Sequence, residues 1–280
     1  MSNLRTDLWL DGFPVNAYFL SPLEVSMLFL TPALTAYILT VTALLGLVFG
    51  SFCNAWAWRL AHGESIAHGR SHCAVCGHPL AARDLVPLFS WLFLRGRCRY
   101  CGAPISKRYP AVELVSCLYY LSVVLRFGLT VDALRFLILG SLLLTASLVD
   151  LDTMELPDSL LLAAALSALL RLPDGWKSAL LGAVAVSVPL LLLVLLADRL
   201  LGRETMGGGD IKLVAVLGLH FGPLQTLFLL ILACVLGLAL GAAMKKAKDA
   251  PFPFGPALAL AGWLTALCGG PAVSWYLSLF

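Results

Sequence analysis

The sequence predicts an all-α, polytopic membrane protein of about eight transmembrane helices, with a zinc-ribbon-like loop on its cytoplasmic side. Three observations carry this. Apolar residues make up 60% of the 280 and charged residues only 12%, about half the soluble norm of roughly 25%. The mean hydropathy is +0.91. The apolar runs are continuous and do not alternate, which favours helices over a membrane barrel. Such a chain cannot cover a water-facing surface, so a soluble enzyme is excluded. A chain this apolar, with a formal charge of only +3, is not disordered either.

A span needs roughly 17–25 apolar residues. The runs between charges predict helices over 34–60, 112–125, 133–149, 160–170, 180–197, 211–220, 224–244 and 256–277, with Arg135 at the outer edge of the third. The fourth and sixth are short for a full crossing and are expected in a thinned bilayer or partly re-entrant. The first run starts late and is too long for a cleavable signal core, so it is expected to stay as an anchor. Lys and Arg beside spans tend to remain in the cytoplasm. With the N-terminus outside, eight passes put the loops 59–108, 151–157, 198–209 and 245–254 inside, in or beside which lie 14 of the 19 Lys and Arg. Topology thus accounts for the basic loops, and no nucleic-acid partner is expected. The chain divides into an extracytoplasmic N-terminus with the first helix (1–60), a cysteine-rich cytoplasmic loop (61–110) and a membrane core (111–280).

The loop carries two C-x-x-C pairs, Cys73/Cys76 and Cys98/Cys101, each followed by a glycine (Gly77, Gly102). Four thiolates at this spacing suit one tetrahedral zinc, and glycine permits the tight turn each pair needs. Metal would fold a loop too short and too polar for its own core. A redox dithiol or four ordinary thiols are the other readings. His72 and His78 are expected to be bystanders. Cys53, Cys117, Cys234 and Cys268 lie in or beside apolar runs and read as small apolar residues.

Ionisable residues at the edge of a span are functional candidates by default. Two acidic clusters qualify: residues 150–158 (DLDTMELPD), where the third helix ends, and 204–210 (ETMGGGD), where the sixth begins. Both fall on the cytoplasmic side. Two carboxylates brought together can share one proton, one activating water while the other donates to a scissile carbonyl. Gly207, Gly208 and Gly209 would let an extended substrate approach Asp210. Read singly, Asp210 is also a helix cap and Asp150 a solvated loop residue. Glu113 reads as a helix-dipole contact, and Lys212 as a partner of Asp210 or, in preference, a snorkelling side chain.

At this point the chain resembles the bacterial type IV prepilin peptidases, aspartic proteases of the GxGD class. The resemblance runs from about Gly46, through GLVFGSFCNAWAWRL (46–60), SHCAVC (71–76), PLFSW (87–91), LRGRCRYCGAPISKRYPAVE (94–113), DLDTMELPD (150–158), MGGGDIKL (206–213) and PFGPAL (253–258). In that family the first catalytic Asp stands seven residues before a Pro. The resemblance therefore implies Asp150 rather than Asp152, with Asp210 as the second. It further implies cleavage of prepilin or pseudopilin leaders after a Gly, in the bacterial cytoplasmic membrane with the active site facing the cytoplasm. N-methylation of the new N-terminus with S-adenosylmethionine is implied as well. A basic leader is expected to meet Asp152, Glu155, Asp158 and Glu204. The rival readings are a zinc-binding transporter or scaffold and a membrane dithiol oxidoreductase.

Overall fold

The computed structural model describes residues 31–66, 69–243 and 252–280. The predicted extracytoplasmic segment before residue 31 and the basic cluster Lys245, Lys246 and Lys248 lie outside these. The described residues form nine α-helices and no named strand: α1 (Pro32–Ala61), α2 (Phe89–Phe93), α3 (Arg108–Phe127), α4 (Val131–Thr153), α5 (Asp158–Ser167), α6 (Leu172–Leu201), α7 (Gly208–Phe221), α8 (Pro223–Ala243) and α9 (Gly255–Leu277). Six of them (α1, α3, α4, α6, α8 and α9) are long and apolar enough to cross a bilayer. The protein is a polytopic all-α membrane protein, with six such helices where about eight were predicted. The two others are α5, which continues as a 3-10 turn (Ala168–Arg171), and α7. At 1.5 Å per residue, α7 is about 21 Å long against a hydrocarbon core of about 30 Å.

Local chemistry sets the ends. Thr31 caps α1 by accepting the Leu34 N–H at 3.3 Å, with Pro32 in the first turn. Thr130 does the same for α4 through the Ala133 N–H at 3.2 Å. Gly128, Gly202 and Gly222 end α3, α6 and α7 with positive φ. The structure carries α4 through Thr153, four residues past its predicted end, so Asp150 stands on the helix and not in the following loop.

Packing makes α4 the centre. Two thirds of its apolar window is buried (67%), against 17% for α1. Leu139, Leu142, Leu143 and Ala146 meet Leu213, Val214 and Leu217 of α7 and Leu258 and Ala261 of α9 in one core. Between lipid-soluble helices, close contact rather than hydrophobicity drives association, so small residues lie at the seams. A Cβ on Gly46 or Gly50 of α1 would stand 2.7 Å from the Cys117 Cα or 2.8 Å from the Glu113 Cα. On the α6–α7 seam, a Cβ on Gly182 would stand 2.6 Å from the Gly222 Cα, and one on Gly218 would stand 2.7 Å from the Ala183 Cα.

The buried C-terminal end of α7 is held by charge. Both Arg135 of α4 (3.1 Å) and Arg171 (2.6 Å) donate to the His220 carbonyl. Arg135 is 1% exposed, pairs with Asp132 at 2.7 Å and lies 4.4 Å over the Phe136 ring. The positive ends of two side chains thus meet the negative end of a helix dipole where no water reaches it.

Candidate functional site

The two aspartates come from different helices and meet at one face of the bundle. Asp150, 5% exposed, stands one turn before the end of α4. Its Oδ2 accepts the Gly255 N–H at 2.8 Å, from the first residue of α9. Asp210 is the third residue of α7, half-buried, on the helix whose first turn packs through Gly209 on Leu156, six residues after Asp150. The C-terminal end of α4 and the N-terminal ends of α7 and α9 therefore enclose the pair. Gly255 is part of this: a Cβ there would stand 2.7 Å from Asp150 Oδ2.

The three glycines before Asp210 are not the expected loop. Gly207 caps α7, and Gly208 and Gly209 form its first turn. The absence of side chains still matters. Nothing lies within 4 Å of where a Gly208 Cβ would be, and a Gly209 Cβ would press on Leu156 at 3.1 Å. One glycine leaves open space beside Asp210, and another lets the segment after Asp150 pack on α7.

Two of the four acids expected to meet a basic partner are already paired. Asp152 accepts from both terminal nitrogens of the Arg108 guanidinium, at 2.5 and 2.8 Å, and Arg108 also donates to the Leu148 carbonyl at 3.2 Å. Asp158 accepts from Lys212 at 2.7 Å, so Lys212 is not a free snorkelling chain. Glu155 and Glu204 are exposed and form no ion pair among the described residues.

In the cysteine loop all four Sγ atoms lie within 4.8 Å of one another. Cys73 and Cys101 are 3.9 Å apart, close to the ~3.8 Å that a tetrahedron of 2.3 Å zinc–sulfur bonds requires. Each pair forms the same knuckle. The Gly77 and Gly102 N–H groups return to the Cys73 and Cys98 carbonyls at 2.8 and 2.9 Å, both glycines at positive φ. The Cys76 backbone N–H, with that of Val75, draws the Cys73 thiol down to about 6, which favours the thiolate a metal needs. The donor set fits a divalent metal of the zinc type. His78 lies tilted against Tyr100, ring centroids 3.7 Å apart, and His72 lies edge-on to Trp58, so neither ring completes the set. Arg99 bonds Asp84 at 2.6 Å, tying the second knuckle to the 3-10 turn (Ala82–Asp84) and holding the Asp84 carboxyl below its usual range.

Several contributors went unread in the sequence. Gly255 sits in a run singled out only by resemblance. Glu113 does more than face a helix dipole: it accepts the Leu88 N–H at 2.7 Å and ties the cysteine loop to α3. Arg135 was visible as a charge at a span edge, but its partner 85 residues away was not.

The comparisons with known proteins agree with one another. The family model described as Bacterial Peptidase A24 N-terminal domain matches residues 44–127, and that of the Type IV leader peptidase family matches 137–242. A prepilin leader peptidase/N-methyltransferase of Aeromonas hydrophila is 40% identical over 219 residues, 75% of this chain and 76% of that protein. The type 4 prepilin-like proteins leader peptide-processing enzyme of Escherichia coli O78:H11 is 38% identical, over 79% of this chain and 90% of its own. A prepilin leader peptidase/N-methyltransferase of Xanthomonas campestris is 36% identical, over 83% and 92%. No solved structure gives a significant match.

Proposed function

The chain belongs to the type IV leader peptidase family, and on that premise we propose that it is an intramembrane aspartic endopeptidase. It removes the leader of type IV prepilins or pseudopilins after a Gly, and N-methylates the new N-terminal residue. The observation that supports the peptidase is that the last turn of α4, with Asp150, and the first turn of α7, with Asp210, lie at one end of the bundle, with the Gly255 N–H on Asp150 Oδ2.

Asp150 and Asp210 act as a unit that shares one proton. The ionised member takes a proton from water, which attacks the scissile carbonyl, and the protonated member donates to the carbonyl oxygen. The proton then passes to the leaving amine as the tetrahedral intermediate collapses. Which carboxylate plays which part belongs to the pair. The open space at Gly208 supports approach of an extended strand beside Asp210. Glu155 and Glu204, without ion-pair partners among the described residues, support recognition of a basic leader better than Asp152 and Asp158 do.

The face of the pair is cytoplasmic in this reading. Arg108–Asp152 and Lys212–Asp158 join the same helix ends that carry the aspartates, and the basic cysteine loop connects there too; Lys and Arg of this density are retained inside. The membrane is then the bacterial cytoplasmic membrane. Cys73, Cys76, Cys98 and Cys101 would hold a structural zinc, whose chemistry is to lock the loop's fold. S-adenosylmethionine would supply the methyl group. No described side chains mark its place, so the methylation is carried by the relatives' names alone.

The test uses purified wild type, Asp150→Asn and Asp210→Asn in detergent, with a model prepilin bearing a basic leader and a Gly-Phe junction. Intact mass of the product reads leader loss and an added methyl group. Leader loss in wild type alone is expected. Cleavage by either variant refutes the pair, and no cleavage by folded, metal-loaded wild type refutes the substrate class.

A further inference from the structure

The cysteine loop carries an apolar face that its own fold leaves open. Phe89, Leu92 and Phe93, at i, i+3 and i+4 of α2, share one side of that helix and are 52%, 61% and 83% exposed. Leu85 and Val86, just before it, are exposed as well. The opposite side is anchored. The Trp91 Nε1–H donates to the Ile105 carbonyl at 3.2 Å, and a Gly96 Cβ would stand 2.9 Å from the Trp91 ring. Leu88 and Arg95, at the two ends of α2, both hold positive φ, a conformation costly for residues with a Cβ. Backbone strain at both ends therefore accompanies the outward display of two phenylalanines and a leucine.

A second observation gives the depth. The Leu88 N–H donates to Glu113 Oε2 at 2.7 Å. Glu113 is the sixth residue of α3, about 7.5 Å along a membrane span. Helix α2 is thus pinned level with the second turn of a transmembrane helix, not out in bulk water. A third observation is charge. Arg83, Arg95 and Arg97 flank α2 in the chain, and Lys107 follows Ile105, whose carbonyl Trp91 of α2 holds; all four are exposed and none is in an ion pair among the described residues. The acid between residues 69 and 107 is Asp84, and Arg99 holds it.

We propose that α2 is an interfacial anchor: Phe89, Leu92 and Phe93 enter the acyl region of the leaflet on the aspartates' side, and Arg83, Arg95, Arg97 and Lys107 bind anionic phospholipid headgroups. An apolar helix face with a cationic rim, held at the height of the headgroups, is the form an in-plane membrane contact takes. The anchor seats the cysteine loop against the bilayer beside the first turns of α3. A prepilin helix is the rival occupant of the same face.

The test places p-benzoylphenylalanine at 93, or at 75 in the Cys73–Cys76 knuckle, in the full metal-loaded chain in nanodiscs of phosphatidylcholine and phosphatidylglycerol. Irradiation is followed by mass analysis of the adducts, a readout that needs no catalysis. Lipid adducts are expected at 93 and not at 75, with phosphatidylglycerol about threefold or more above its share in the disc. Changing Arg83, Arg95 and Arg97 together to Gln should return that share to the disc's own. The proposal is overturned by absence of lipid adducts at 93, by equal adducts at 75, or by a phosphatidylglycerol share that ignores the three substitutions. It is also overturned if added prepilin replaces lipid as the adduct at 93.

Discussion

Replacing Gly255 with Ala tests the site without touching either carboxylate. The added methyl group would stand 2.7 Å from Asp150 Oδ2, where ordinary contact begins at 3.4 Å, so something must move by about 0.7 Å. Asp150 lies in the last full turn of a buried helix and Gly255 in the first turn of another, so the carboxylate is the softer element. A misplacement of about 1 Å at a reacting group costs on the order of a hundredfold. A shift of about 0.7 Å therefore predicts a kcat some ten- to a hundredfold lower, with KM little changed because the leader contacts lie elsewhere. Ala is also the better helix former, by about 1 kcal/mol in a helix interior and less in a first turn, so the melting temperature should not drop much. The assay is single-turnover and steady-state leader cleavage by mass, beside a thermal melt in the same detergent. A kcat within twofold of wild type in a folded variant would refute the argument that Gly255 holds Asp150 in its working position.

The remaining predictions concern the scaffold. Arg135→Ala removes one of two donors to the His220 carbonyl and frees Asp132, and should destabilise the bundle by about 2 kcal/mol in a thermal melt; combining it with Arg171→Ala should cost more than the two singles summed, since the carbonyl is then buried bare. Gly182→Leu, whose Cβ alone would stand 2.6 Å from the Gly222 backbone, should prevent the α6–α7 seam from closing, read as loss of monodisperse protein in detergent. Cys98→Ser should lower bound zinc from one per chain to none by elemental analysis. It should also open residues 69–107 to limited proteolysis while the bundle's melt stays nearly unchanged.

The long spans were legible because bilayer thickness fixes their length and lipid forbids charges within them: the runs 34–60, 224–244 and 256–277 fall within a residue or two of α1, α8 and α9. The end of α4 was not legible. Asp150 and Asp152 read as the start of a loop, yet helical bonding continues through them because Arg108 and the Gly255 N–H satisfy the two carboxylates from other elements. Tertiary contact also hid the first turn of α7: three glycines read as a loop, but Gly209 packs closely on Leu156, a contact 53 residues away in the chain that sequence does not show. The cysteine cluster was readable because metal geometry restricts the spacing of its ligands. The pairing of Asp152 and Asp158 was not, because their partners stand 44 and 54 residues away.

The short length of α7 ties the site to the far side of the bundle. A helix of about 21 Å is shorter than a hydrocarbon core of about 30 Å, and this one, which begins beside Asp210, ends at His220 and Phe221, both buried in the bundle. Arg135 and Arg171 supply partners for the His220 carbonyl, and Arg135 belongs to the same helix that carries Asp150 at its other end. Helix α4 is therefore tied to α7 through the Arg135 guanidinium at the buried end, and shares one core with it toward the end that carries Asp150 and Asp210. A rigid helix between two such contacts leaves α7 little freedom to slide along its axis, and sliding is the motion that would part the carboxylates. The close seam between Gly182 and Gly218 opposes tilting in the same way. The intramembrane arginine and the small-residue seam thus both bear on the separation of the two carboxylates. Stability of the α7 seat and geometry of the dyad are one property of the fold, not two.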